Sequence, residues 1–372
     1  MKNITYIFSQ NREKNYHNKE SYAKDFYYGL HNFDNKKNNI EVIEFSESKS
    51  LINPLLIIFD KAMNKYLSLP FYSSKLTNLE NIKKIKKTDY LFLVNEGVGF
   101  SSLFLITIGR IFKRIKISMF VMGLYSKKIK FKKLKFLHMF FIRLLVLNTN
   151  HIFFLGNAEL EKARNIHKRH SEKFKFLPFC IDTEFWTDKN NKDITKNKKI
   201  IFVGNDGNRD FELLIKLAEN LKQYNFIVVS SNEIFKKIDL PNVEIHNGFW
   251  GSEEITDSDL RDLYLDSKLS IIPLKESFQP SGQSVALQSM SLGIPVMITE
   301  TQGFWQKDIF LDNENIIYIN DFDHKTWALK INEIFNDDSK IKKISKNAKN
   351  TIFENYKLEV LYDFLNQLTK ES

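Results

Sequence analysis

The chain has 372 residues, 43% apolar and 14% aromatic, enough apolar content for about two buried cores and too much for a disordered chain. A single cysteine, Cys180, excludes an internal disulfide framework, and no run reaches the ~18 apolar residues of a spanning helix. The net charge of +10 is concentrated, because the interval between Glu96 and Glu159 holds no acidic residue and eleven Lys and Arg, from Arg110 to Arg143.

The opening MKNITYIFSQNREK has too short an apolar run for a secretory signal, so a reducing cytoplasmic setting is expected. NITYIFS reads as a strand, SYAKDFYYGLHNF as a helix and IEVIEFS as a second strand. DYLFLVNE (89–96), KISMFVMG (116–123) and HIFFLGN (151–157) follow as strands with helical patterns between them. Fully apolar strands alternating with helices predict a parallel sheet covered on both faces. The polar run WTDKNNKDITKNKK then reads as a linker, after which the rhythm restarts at KIIFVGN (199–205). Strands FIVVSS, NVEIHNG, LSIIPL, PVMITE and IIYI alternate with helices FELLIKLAENLKQY, DSDLRDLYLDS, VALQSMSLG and HKTWALKINEIFND, and IKKISKNAKNTIF and LEVLYDFLNQL close the chain. The expected architecture is α/β, with two doubly wound Rossmann-like domains facing a cleft: 1–186, a linker 187–198, and 199–345. Helices in 346–372 are expected to cross back to the first domain.

PSGQSVALQSMSLGIPV (280–296) concentrates the chemistry. A loop that leaves a buried strand and opens a helix presents unpaired backbone N–H groups and a positive dipole end, which together suit an anion. Gly282 permits close backbone approach, and Ser281 and Ser284 are expected to cap the helix or donate to a phosphate oxygen. Such a helix start also has a purely structural explanation, since every helix needs one.

Residues 268–303, KLSIIPLKESFQPSGQSVALQSMSLGIPVMITETQG, resemble the nucleotide-sugar segment of retaining glycosyltransferases of the GT-B fold, family 4 type (glycosyl transferases group 1). In that family a strand ending in Pro leads into a Glu-x7-Glu element and a helix reading Glu-Ala-Met-Ala-x-Gly-x-Pro-Val; here Gln288-Ser-Met-Ser-Leu-Gly-Ile-Pro-Val296 stands in its place. LPFCIDTEFW (177–186) resembles the interdomain signature, IIFVGNDGNRD (200–210) the strand and glycine loop opening the donor domain, and DSDLRDLYLDSKLSIIPL (257–274) the stretch before the donor motif. The resemblance spans about 170–360; before it only the strand–helix rhythm agrees.

The resemblance implies a metal-independent, retaining transfer of a hexose from a nucleotide sugar, UDP-sugars favoured, with no cofactor. Arg209, after Gly204 and Gly207, would bind the leaving diphosphate, with Lys275 as a weaker second cation and Glu276 the carboxylate nearest the sugar. Ser281, Gly282, Gln283 and Ser284 would meet the phosphates, and the family's ribose-binding Glu is here Gln288, an uncharged amide. The earlier Glu of the pair is replaced by Pro280. Gly248, within His246-Asn-Gly-Phe-Trp250, falls where the family contacts the nucleobase. Glu96, before Gly97-Val-Gly99, is the acceptor-side candidate; GVG alone does not make a dinucleotide site. His138 reads as a packing residue, Cys180 as a buried small one, and Asp321-Phe-Asp323 as a turn and helix cap rather than a metal motif. Two rival readings stay open: a sugar-nucleotide epimerase on this fold, or a non-catalytic membrane- or nucleic-acid-binding protein on a decayed scaffold.

The basic interval, residues 110–143, interleaves Lys and Arg with Phe, Leu and Ile. An anionic membrane would attract the charges at about 1 kcal/mol each and take up the apolar face. Nucleic acid is not expected, and a simpler reading has these segments packed in the core with lysine stems on the rim. The protein is therefore expected at the inner face of the membrane, acting on a lipid or lipid-linked glycan.

Overall fold

The computed structural model describes residues 2–370 apart from 11, 18–21, 34–37, 48–52, 113, 128, 190–191 and 249–253. The chain forms two compact units: Met1–Glu20 with Tyr27–Leu177, and Ser21–Phe26 with Pro178–Ser372. The boundary after Leu177 leaves residues 178–186 and 346–372 in the second unit.

In the first unit the strands are β1 (Lys2–Phe8), β2 (Asn38–Glu44), β3 (Tyr90–Leu93), β4 (Lys116–Val121), β5 (His151–Phe154) and β6 (Phe174–Phe176). They form one parallel sheet in the order β2-β1-β3-β4-β5-β6. Its helices are α1 (Glu13–His17), α2 (Asn53–Ala62), α3 (Leu79–Lys87), α4 (Glu96–Ser101), α5 (Leu103–Phe112), α6 (Lys135–Asn148) and α7 (Asn157–Ile166). The central strands are continuous apolar runs because both faces are covered: Leu91, Phe92, Leu93, Ile117, Met119 and Val121 are fully buried.

The second unit carries β7 (Lys199–Val203), β8 (Asn225–Val229), β9 (Val243–His246), β10 (Leu269–Ile272), β11 (Val296–Thr299) and β12 (Ile317–Ile319). Its helices are α8 (Phe211–Asn220), α9 (Asp257–Leu265), α10 (Gln283–Ser291), α11 (His324–Phe335), α12 (Asp338–Asn355) and α13 (Leu358–Lys370). The parallel order β12-β11-β10-β7-β8-β9 is the doubly wound dinucleotide-domain order, and its switch point lies between β7 and β10. One core face packs Phe202, Leu217, Phe226, Ile271, Trp327 and Ile331.

The expected helix over residues 21–33 does not form. Asp25–Tyr27 and Leu30–Phe33 are single 3₁₀ turns, broken by two left-handed residues, Tyr28 at φ 49° and Gly29 at φ 82°. The run is divided between the units: Phe26 packs on Phe179 in the second, while Tyr27 packs on Phe8 and His31 in the first. Tertiary packing overrides the local periodicity there.

Candidate functional site

In the second unit the loops after β7 and β10 zip together at the switch point. Lys275 N donates to Asn208 O (2.8 Å), Asp210 N to Pro273 O (3.0 Å), and Asn208 Nδ2 to Ser281 Oγ (2.8 Å) and Gln279 Oε1 (3.1 Å). This fixes the 206–210 loop against the start of α10. Asp210 accepts from Leu213 N (3.0 Å) as the cap of α8, so it is not the partner of Arg209.

Arg209 is 3% exposed, although a guanidinium is costly to bury. Its Nε lies 3.4 Å from Asp206 Oδ2, yet Nε and Nη1 make no hydrogen bond among the described residues. Burial pulls its pKa down, while Asp206 and Tyr264 act the other way. Two glycines make room for the group. A Cβ on Gly204 would lie 2.2 Å from Arg209 Nε, and one on Gly282 2.8 Å from Nη1. Gly207 has nothing within 4 Å and is exposed, so space does not require a glycine there.

Gly282 is the N-cap of α10 at φ 82°, and no side chain caps the helix. The expectation that Ser281 or Ser284 caps it is therefore corrected: Ser281 Oγ instead accepts from Asn208. Gln283 is buried and Ser284 half-buried in the first turn. Ser291 Oγ donates to Trp186 O (2.7 Å), and α10 ends in a Schellman turn, with Ile294 N to Ser289 O (2.9 Å), Gly293 N to Met290 O (3.0 Å) and Gly293 at φ 79°. Lys275 and Glu276 are exposed on the β10–α10 loop, where Glu276 Oε1 accepts from Gln302 N (3.0 Å). Gly248 O accepts from Asn205 Nδ2 (2.9 Å), whose Oδ1 takes Ser231 N (2.6 Å); Phe249 and Trp250 lie outside the described residues.

Three contributors escaped the sequence reading. Gly303 seats the 277–279 loop, since a Cβ there would lie 2.4 Å from Gln279 O. Its position within TQGFW, just after a strand, was the available signal. Tyr264 is fully buried, and burial raises the pKa of its hydroxyl, with the charge of Arg209 lowering it and that of Asp25 raising it. Asp25 lies far from the motif in sequence but is wholly buried beside Gln288, with no local pattern to betray it.

Glu96 sits in the first unit in the opening turn of α4, where Asn95 accepts from Val98 N (2.8 Å). It is 7% exposed, 3.2 Å from Lys127 Nζ, and accepts from Met122 N (3.3 Å). Glu159 beside it accepts from Tyr125 N (2.8 Å) and Gly123 N (2.9 Å), and burial raises its pKa to about 8. Gly99 serves packing, because a Cβ would lie 2.5 Å from Met119 Sδ. His138 is buried with Nδ1 2.6 Å from Leu67 O, a packing residue as expected, and burial lowers its pKa. Cys180 is buried, its thiol pushed up to about 12. Asp321 holds the turn before α11, accepting from Asp323 N (3.0 Å) and Thr326 Oγ1 (3.1 Å); Asp323 itself makes no side-chain cap.

Within the basic interval β4 is core, and the surface is built by α5, α6 and the loop before α6. Phe104, Ile111, Phe131, Phe136 and Phe140 are exposed there with Arg110, Arg114, Lys130, Lys132, Lys133, Lys135 and Arg143. Lys113 and Lys128 lie outside the described residues. Among the described residues no helix is long and apolar enough to cross a membrane, and no group of three His, Cys, Asp or Glu could hold a metal ion.

Residues 183–351 match the family described as glycosyl transferases group 1, and this span contains the whole β7–β10 site. The second unit therefore carries a glycosyl transferases group 1 domain, and the chain has the GT-B fold. It superposes on Anabaena Alr3699/HepE in complex with UDP at TM-score 0.67 and 12% identity, over 100% of both chains. Sucrose-phosphate synthase from Thermosynechococcus elongatus gives 0.69 and 12%, over 100% of this chain and 99% of that one. A glycosyltransferase from Rickettsia africae ESF-5 gives 0.65 and 13%, over 100% and 98%. At such identities these structures bear on the fold alone. No curated protein sequence matches the chain.

Proposed function

We propose that this glycosyltransferase moves a hexose from a nucleotide sugar, a UDP-sugar in the first instance, to a lipid or lipid-linked glycan at an anionic membrane surface. Transfer is retaining and needs neither metal nor cofactor. The observation that carries the donor reading is Arg209, a buried guanidinium with two unbonded N–H groups between Gly204 and the start of α10. Such a cation suits a diphosphate. As the bond from the sugar carbon to the diphosphate oxygen breaks, negative charge grows on that oxygen, and Arg209, Lys275 and the first-turn amides of α10, at Gln283 and Ser284, stabilise it. Ser281 and Gly207 flank the phosphates, Gly248 offers backbone to the base, Gln288 meets the ribose, and Glu276 meets the sugar. Glu96 serves the acceptor side. The exposed Phe and Lys of α5 and α6 support the membrane reading, as does the inner-face, cytoplasmic setting inferred from sequence.

The test is calorimetric titration without metal of UDP-glucose, UDP-galactose, UDP-GlcNAc and GDP-mannose against the wild type and Arg209→Ala. One donor should bind, and the variant should lose it by a factor of about 100 or more. Binding to none of the four would remove the donor reading.

A further inference from the structure

Asp25 is 1% exposed and holds three donors: Asp182 N at 2.6 Å on Oδ1, and Trp186 Nε1 at 2.7 Å and Gln288 Nε2 at 2.8 Å on Oδ2. A backbone N–H and an indole N–H can only donate, so both carboxylate oxygens act as acceptors. With Asp25 ionised, the amide of Gln288 turns its NH₂ toward it, and Oε1 becomes the end that no described residue donates to. An amide is otherwise free to present either end.

We infer that Asp25 is a positioning residue that orients Gln288, so that the amide presents only an acceptor oxygen to the hydroxyl pair of the donor's ribose. The arrangement reproduces the acceptor-only surface of a carboxylate while moving the negative charge one side chain back. It also explains why an amide stands at position 288. A carboxylate there would set two acids in contact in a buried site, and one would have to stay protonated. The inference rests on the proposed reading that Gln288 faces the donor.

The test measures the dissociation constants of UDP and of 2′,3′-dideoxy-UDP, or the guanosine pair should a GDP-sugar be the donor, for four proteins. These are the wild type, Asp25→Asn, Gln288→Glu and the exchange variant D25N/Q288E, each with its Tm. The wild type should prefer the ribose form by about tenfold, the worth of one or two hydrogen bonds. D25N should lose that preference. D25N/Q288E should regain it, since the carboxylate introduced at position 288 can accept from the amide introduced at position 25. A purely structural role would lower Tm and leave the ratio unchanged. A folded D25N that keeps the wild-type ratio, or a wild type that binds both nucleotides equally, overturns the inference. Should D25N fail to fold, an exchange variant that folds but lacks the preference overturns it instead. A wild type that binds neither nucleotide nor any donor overturns the function reading, and the inference with it.

Discussion

Gly204, Gly207 and Gly282 look alike in the sequence and differ in the structure. A methyl group on Gly204 would displace the Arg209 guanidinium, so Gly204→Ala should abolish donor binding in calorimetry while the protein stays folded. Gly282→Ala adds left-handed strain at φ 82° and should also cost about 1–2 kcal/mol in denaturant unfolding. Gly207→Ala, with open space around it, should change stability by less than about 0.5 kcal/mol. Asp25 supplies a pH signature. Burial, reinforced by Asp182, raises its pKa to about 7 from 3.8 against the hydrogen bonds from Gln288, Asp182 and Trp186; Cys180, Tyr264 and Tyr362 also face it. The folded state holds the proton more tightly than the unfolded one, so this group's stabilising contribution is full below about pH 4 and is lost as pH rises through 7. Stability curves of wild type and D25N should diverge over that window, with the wild type falling relative to the variant; parallel curves would refute it. That Arg209 and Gly282 come together was legible, because loop glycines and a strand–helix junction mark both places in the sequence. Asp25 was not, because its role depends on partners 157 to 263 residues away.

At the level of elements, the end of α10 is legible in the sequence, because Gly293 and Pro295 end a helix for local reasons. Gly293→Ala should cost about 1 kcal/mol in thermal or denaturant unfolding, since its φ of 79° and the Ser345 hydroxyl at 3.2 Å both oppose a Cβ. The capping of α10 is not legible, since a serine beside a helix start is a good cap only when no neighbour claims its hydroxyl, and Asn208 does. The missing helix over 21–33 fails for the same reason at larger scale. In α6 the exposed Phe136 and Phe140 contribute little to the core. Replacing both with Ser should leave Tm nearly unchanged and weaken binding to phosphatidylglycerol vesicles by tenfold or more in sedimentation assays, given about 1.5–3 kcal/mol per buried Phe.

At the scale of the molecule, the sheet orders follow from apolar strands alternating with helices, and that rhythm is visible in the bare sequence. The sequence also places the charge: eleven Lys and Arg in one acid-free interval exceed the net +10 of the whole chain. Vesicle binding should therefore collapse between about 0.05 and 0.5 M salt and be absent on neutral phosphatidylcholine; salt-independent binding would count against the electrostatic part of the reading. The unit boundaries were less legible, because nothing local marks Ser21–Phe26 as part of the second unit. That discontinuity has a consequence for synthesis on the ribosome. Asp25 leaves the exit tunnel well before its partner Gln288, which is made 263 residues later. At typical elongation speeds of ~5–20 residues per second, the nascent chain holds Asp25 without Gln288 for about 13 to 50 seconds. The second core can close only after its later strands exist, so vectorial folding that completes the first unit early must leave this segment unclaimed.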